Sequence, residues 1–156
     1  MSQQSDIDAL RSGAVPSATH LINGAQVAAS DGGELLNTSP INGAELGGLA
    51  RGTASDIDRA VTCARQAFDD GRWSRMPPAG RKRILHRIAD LIEQNMLELA
   101  VLGARDNGTE ISMALRAEPG SASATFRYYA ETADKINGDI APTPPGVLGL
   151  IHREAV

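Results

Sequence analysis

A single cysteine, Cys63, stands in 156 residues, which excludes any disulfide within the chain. Aromatic side chains are almost as scarce, at 3%, so a core must be assembled from Leu, Ile, Val and Ala. No excess of positive charge is available to build a nucleic-acid or anionic-membrane surface, the net charge being −4. No apolar run approaches the roughly 18 residues that span a bilayer. The first residues, with Asp6, Asp8 and Arg11 among serine and glutamine, lack the basic and apolar blocks of a secretory signal. A cytoplasmic protein with neither nucleic-acid nor membrane partners is expected. What is present, 42% hydrophobic and 22% charged residues, is the balance of an ordinary globular domain.

Residues 1–19 are polar, end in Gly13-Ala14-Val15-Pro16-Ser17 and show no sustained period, which predicts a flexible leader. Asn23-Gly24 between two short apolar runs then signals a hairpin, because a type I′ turn needs positive φ at both central residues. Strands are expected at Glu34–Thr38 and Glu45–Ala50, joined by a turn at Ser39-Pro40-Ile41-Asn42-Gly43, so this part reads as a small β-meander.

The period then becomes helical. Ile57, Ala60, Val61, Ala64, Ala67 and Phe68 recur at helix spacing after a cap at Thr53 or Ser55, and Gly71 ends the run. Pro77-Pro78 opens a second helix with its stripe at Ile84, Leu85, Ile88, Leu91, Ile92 and Met96. A third stretch, Leu97–Arg105, stops at Asn107-Gly108. A fourth is expected from about Pro119 to Ile136, ended by Asn137-Gly138. Pro142, Pro144 and Pro145 keep the tail extended, and Val147–His152 reads as a strand. The last residues lie inside this extended region without a turn or cap, where a compact domain rarely stops.

A reaction centre is missing from the pattern. There is no Gly-x-Gly-x-x-Gly or Walker-type loop to cradle a phosphate. His20, His86 and His152 match no metal-ligand spacing. Cys63 sits mid-helix, away from any helix N-terminus or local base, and reads as a small packing residue. The basic run Arg81, Lys82, Arg83 and Arg87 reads as a solvated face balanced by Asp90, Glu93 and Glu98 nearby. Glu110 and Glu118 are isolated acids, not a catalytic pair.

Several strings in register resemble the aldehyde dehydrogenase superfamily. Leu21-Ile22-Asn23-Gly24 is similar to its "FINGE" opening, and Ser39-Pro40-Ile41-Asn42-Gly43-Ala44-Glu45-Leu46 to its "NPATGEVI" turn. Asp56-Ile57-Asp58-Arg59-Ala60-Val61 resembles "DVDRAV". Arg81 through Leu91 follows the pattern R-x-x-(I/L)-L-x-x-(I/L)-A-D-L, and Asp106-Asn107-Gly108 is similar to "LDNGK". Phe126-Arg127-Tyr128-Tyr129-Ala130, Asp134-Lys135-Ile136-Asn137-Gly138 and Arg153-Glu154-Ala155-Val156 complete the resemblance. Within the superfamily the strings are closest to the γ-glutamyl-γ-aminobutyraldehyde and betaine-aldehyde dehydrogenases. Departures are Gly103-Ala104-Arg105 in place of "LET", Thr109 in place of lysine, Ser39 for the asparagine of "NP", and Pro77 for a Ser/Thr cap.

The resemblance implies the N-terminal part of an α/β, aldehyde dehydrogenase-like fold, incomplete without the downstream Rossmann-type sheet. Residues 20–137 would belong to the cofactor-binding domain and residues 138–156 to the bridging sheet that joins subunits. It implies an NAD(P)-dependent enzyme in which a cysteine thiolate attacks the aldehyde, hydride passes to the nicotinamide, and a glutamate-activated water releases the carboxylic acid. No catalytic or cofactor-binding residue falls within the matched strings, so the chain alone is expected to be inactive. It also implies homodimers or homotetramers through Gly138–Glu154, and a structural Na+ or K+ at Asn37, Thr38 and Asp106, where oxygen donors suit a hard cation. An ordinary turn beside a helix-terminal aspartate is the alternative at those positions. A non-catalytic module docking on full-length subunits through residues 138–156 is the alternative for the chain.

Overall fold

The structure, a computed structural model, describes residues 3–154. Helix α1 (Gln3–Ser12) leads into hairpin β1 (His20–Ile22) and β2 (Ala25–Val27), then hairpin β3 (Glu34–Thr38) and β4 (Glu45–Ala50). Four helices follow: α2 (Ala54–Asp69), α3 (Pro78–Gln94), α4 (Met96–Asn107) and α5 (Ile111–Thr132). A last hairpin pairs β5 (Asp139–Ala141) with β6 (Gly149–Ile151).

Turn chemistry decides the first part as the sequence predicts. Asn23 and Gly24 take φ of 53° and 76°, the type I′ geometry that matches strand twist, and β1 pairs with β2 across them. The expected meander is instead two separate two-stranded ladders, β1–β2 and β3–β4. The chain between them is held elsewhere: the Ser30 amide and hydroxyl both donate to Asp56 Oδ2 at the start of α2, at 3.1 and 3.2 Å. That attachment carries β3 away from β2.

The expected leader is also ordered differently. Gln3–Ser12 is helical, with Asp6, Ile7 and Leu10 half-buried, a stripe of little more than one turn and too short to stand out in a polar segment. Arg105 Nη1 on α4 donates to the carbonyls of Leu10 and Gly13, at 3.1 and 2.8 Å. A cation there satisfies carbonyls that a helix end leaves unpaired. Beyond α1 the chain runs alongside β4, bridging Ala18 to Leu49.

Helix α5 begins at Ile111, well before the expected start near Pro119, and ends at Thr132, before Asn137. Pro119 therefore lies inside the helix and is buried. Packing wins over the missing amide donor: Ala114, in the first half of α5, is fully buried in a cluster with Ala100 and Ala104 of α4, flanked by Ile111 and Leu115. The core is built from small residues. Ala29, Ala89, Ala100, Ala104, Ala114 and Ala130 are buried with Ile22, Leu46 and Val101, while most larger apolar side chains are exposed.

Candidate functional site

The sequence nominates Asn37, Thr38 and Asp106, and two of them meet. Asn37 is brought to the C-terminal end of α4 by β3, whose register against β4 shifts between Asn37 and Thr38. Its Nδ2 donates to Asp106 Oδ1 at 2.7 Å. Thr38 follows at the shift and is exposed. Two residues on from Asp106, Gly108 caps α4 in the left-handed conformation with φ of 79°. Positive φ favours glycine there, and a Cβ would stand only 3.2 Å from Pro40 Cγ. Leu46, Leu49, Leu99 and Leu102 line the adjoining cavity of about 410 Å³ with Asn37 and Asp106.

The arrangement locks the β3–β4 hairpin onto α4. It offers an alkali cation one carboxylate, and the Asn37 amide faces that carboxylate with its nitrogen, so the amide would have to turn to add an oxygen. Among the described residues no group of three or more His, Cys, Asp or Glu could hold a metal ion.

Cys63 is half-buried on α2 beside a cavity of about 380 Å³ lined by Leu21, Ile22, Asn23, Gly24, Ala60 and Arg72 among others. No histidine or carboxylate lines that space, and Arg72 is turned to Asp70, Nε to Oδ2 at 2.8 Å. A nucleophile needs an adjacent base or a group that stabilises its thiolate. No histidine or carboxylate lines the cavity beside Cys63 to act as that base.

The largest constellation of charge was only half visible in sequence. The basic residues of α3 were expected to be balanced along α3 and into α4; instead Lys82 is answered across the interface by Glu131 of α5, and Asp90 and Glu93 answer Arg127 of α5. Lys82 Nζ and His86 Nε2 both meet Glu131 of α5, at 2.5 and 2.9 Å. One turn further, Arg127 of α5 reaches back to Asp90 at 2.8 Å and Glu93 at 2.7 Å on α3. The hydroxyl of buried Ser123 donates to Glu93 Oε1 at 2.6 Å. Lys82 first, then His86, hold Glu131 below the usual carboxylate range, and Arg127 with Ser123 does the same to Glu93. Glu131 in turn raises the Lys82 ammonium. These groups neutralise one another in pairs, which is the electrostatics of a helix–helix seam rather than of a poised acid or base. Only the three-dimensional pairing of α3 with α5 could have revealed it.

Small antiparallel hairpins beside a four-helix layer, with Asn37 and Asp106 joining a hairpin to a helix end, define an α/β fold. The aldehyde dehydrogenase family profile matches residues 27–156. The chain is 41% identical over 135 residues to the NADP/NAD-dependent aldehyde dehydrogenase PuuC of Escherichia coli, covering 86% of this chain and 27% of that protein. The crystal structure of the aldehyde dehydrogenase KauB from Pseudomonas aeruginosa superposes with a TM-score of 0.91 at 37% identity, over 99% of this chain and 31% of that one. A P. syringae indole-3-acetaldehyde dehydrogenase variant in complex with NAD+ gives a TM-score of 0.90 at 35% identity, over 99% of this chain and 31% of that one. This chain belongs to the aldehyde dehydrogenase family, and its fold is the N-terminal part of that family's fold. It spans about a quarter of the length of PuuC.

Proposed function

We propose that these residues are the N-terminal scaffold of an NAD(P)-dependent aldehyde dehydrogenase subunit that oxidises an aldehyde to a carboxylic acid. The observation that carries this reading is the superposition of 99% of the chain on 31% of a solved aldehyde dehydrogenase. Among the described residues, the only thiol sits without a base. The nicotinamide supplies the hydride acceptor in such enzymes. No residue of this chain is assigned to it, and the Cys63 environment supports packing rather than attack on a carbonyl. What these residues do is hold: α3 and α5 through their charged seam, and α4 and β3–β4 through Asn37, Asp106 and Gly108. A Na+ or K+ beside Asp106 remains part of the proposal, with Asn37 and Thr38 as the other oxygen donors. So does a cytoplasmic location; no helix among the described residues is long and apolar enough to cross a membrane.

The purified 156-residue chain, assayed with NAD+ or NADP+ and a panel of aldehydes, is expected to form no reduced cofactor, and neither dinucleotide should raise its melting temperature. Turnover that disappears in Cys63→Ala would overturn the reading.

A second role is supported by β5–β6. Ile140 is 74% exposed, Leu148 71% and Leu150 69%, an apolar ribbon on a two-stranded edge. We infer that Gly138–Glu154 joins subunits into a homodimer or homotetramer, or, in a non-catalytic role, docks this chain on full-length subunits.

A further inference from the structure

Arg81 and Lys82 stand side by side in the first turn of α3, and the fold treats them differently. Both are half-buried, where the sequence suggested a solvated face. Lys82 is answered by Glu131. The Arg81 guanidinium meets no carboxylate among the described residues, and its Nε is shut away from solvent without a hydrogen-bond partner. Arginine has no neutral form to fall back on, so a donor buried in this way costs stability until an acceptor answers it. The side chain lines a cavity of about 540 Å³ between the start of α3, the segment joining α5 to β5, and the chain leaving β6. Small-molecule sites occupy roughly 300–1,000 Å³. Trp73, Leu85 and Ile136 give the cavity apolar walls, and Asp134 and Glu154 also line it. Those two acids are already engaged, Asp134 with Lys135 at 2.6 Å and Glu154 with the His152 ring at 3.5 Å. Arg153, on the same lining, donates from Nε to the Asn137 carbonyl at 3.1 Å. Arg81 is therefore the charged group of this cavity that lacks a partner among the described residues.

We propose that this cavity binds a small monocarboxylate with an apolar body, the carboxylate against Arg81 and the body against Trp73, Leu85 and Ile136. The lining selects each part of that ligand. An unanswered guanidinium calls for an anion, and its planar fork of donors suits a carboxylate. The apolar walls favour an acid that carries a hydrocarbon or aromatic body over an inorganic ion. Asp134 and Glu154 repel a second negative charge, which works against dicarboxylates and doubly charged phosphates. Carboxylic acids are also what the proposed oxidation forms, but the site stands on the cavity alone and does not depend on that reading.

Trp73 is the only tryptophan of the chain, so its emission reports on the cavity directly. The purified chain is titrated with hexanoate, with the neutral counterpart hexanamide and with inorganic phosphate. Hexanoate is expected to change the emission along a saturable curve, and the other two to leave it flat over the same range. Arg81→Met should weaken hexanoate by about tenfold or more. The same variant should melt no lower than the wild type, because its guanidinium has no partner in the fold to lose. A flat response to hexanoate, equal binding of hexanamide or phosphate, or undiminished binding to Arg81→Met overturns the proposal. A clear fall in the melting temperature of Arg81→Met also overturns it, by revealing a partner for Arg81 within the chain. The comparison of hexanoate with hexanamide uses no variant, so it decides the matter even if Arg81→Met does not fold. The titration is repeated at rising chain concentration, where the affinity should stay constant. Affinity that falls as the chain associates gives the cavity to a carboxylate of a second copy, and the proposal fails.

Discussion

Thr53 and Asp56 hold the start of α2 by exchanging hydrogen bonds, Thr53 Oγ1 accepting from the Asp56 amide and Asp56 Oδ2 from the Thr53 amide at 3.0 Å. Asp56 also takes the Ser30 amide, so one carboxylate fixes both the helix and the loop that leaves β2. Thr53→Ala should lower unfolding stability by about 1 kcal/mol, read from urea midpoints. The amides of Thr53 and Ser30 hold the Asp56 carboxyl well below its ordinary value of 3.8. A carboxyl depressed on folding stabilises the fold above its unfolded value and loses that contribution as pH falls through the folded one. Asp56→Asn should therefore cost stability near neutrality and converge on the wild type only in strong acid, which a pH series of thermal melts checks. Gly108→Ala places a Cβ against Pro40 at positive φ, and should cost about 1–2 kcal/mol while loosening the Asn37–Asp106 contact.

The seam between α3 and α5 is an ion-pair network in which most members are partly exposed, so salt and pH set its strength. Glu93 and Glu131 sit below their ordinary value of 4.5, and their contribution is present above that pH and fades as acid protonates them. Removing Arg127 leaves Asp90 and Glu93 without their cation, with Ser123 still donating to Glu93. Arg127→Met should be destabilised at neutral pH, less so below pH 4.5, and the difference should shrink in high salt. Which elements were legible follows from the range of the forces that make them. The Thr53 cap, the Asn23-Gly24 turn, the Pro77-Pro78 start of α3 and the Gly108 stop of α4 are decided within a few residues, and each stands where the sequence puts it. Helix α5 was misjudged because proline is a local stop signal, and the burial of Ala114 against α4 that overrides it is not local. The cross-helix partners of Lys82 and Arg127 are non-local in the same way, whereas α1 has too short an apolar stripe to stand out in a polar segment. Of the nominated cation ligands, the Asn37–Asp106 meeting came through the family resemblance; spacing alone would not have joined residues so far apart.

Among the described residues the buried apolar positions are mostly alanine, while more than half of the larger apolar side chains are exposed. At micromolar concentration the chain should self-associate through its tail hairpin. Sedimentation is the check, with Leu148→Asp and Leu150→Asp together expected to restore a monomer. Monomeric wild type would remove the support for Gly138–Glu154 as a subunit contact. The hairpin is itself tightly specified: a Cβ on Gly138 would collide with the Ile151 carbonyl, so Gly138→Ala should open it and weaken association without touching the helices. The alanine contact between α4 and α5 has a kinetic consequence as well. Ala100, Ala104 and Ala114 lie within a short stretch of chain, and α3, α4 and α5 are consecutive. Contacts so near in sequence close with little loop entropy and form fast. During synthesis this layer can assemble once residue 132 has left the ribosome, before β6 has emerged to pair with β5. The charged seam would then give the nascent polypeptide a folded, water-compatible platform while later segments are still being made.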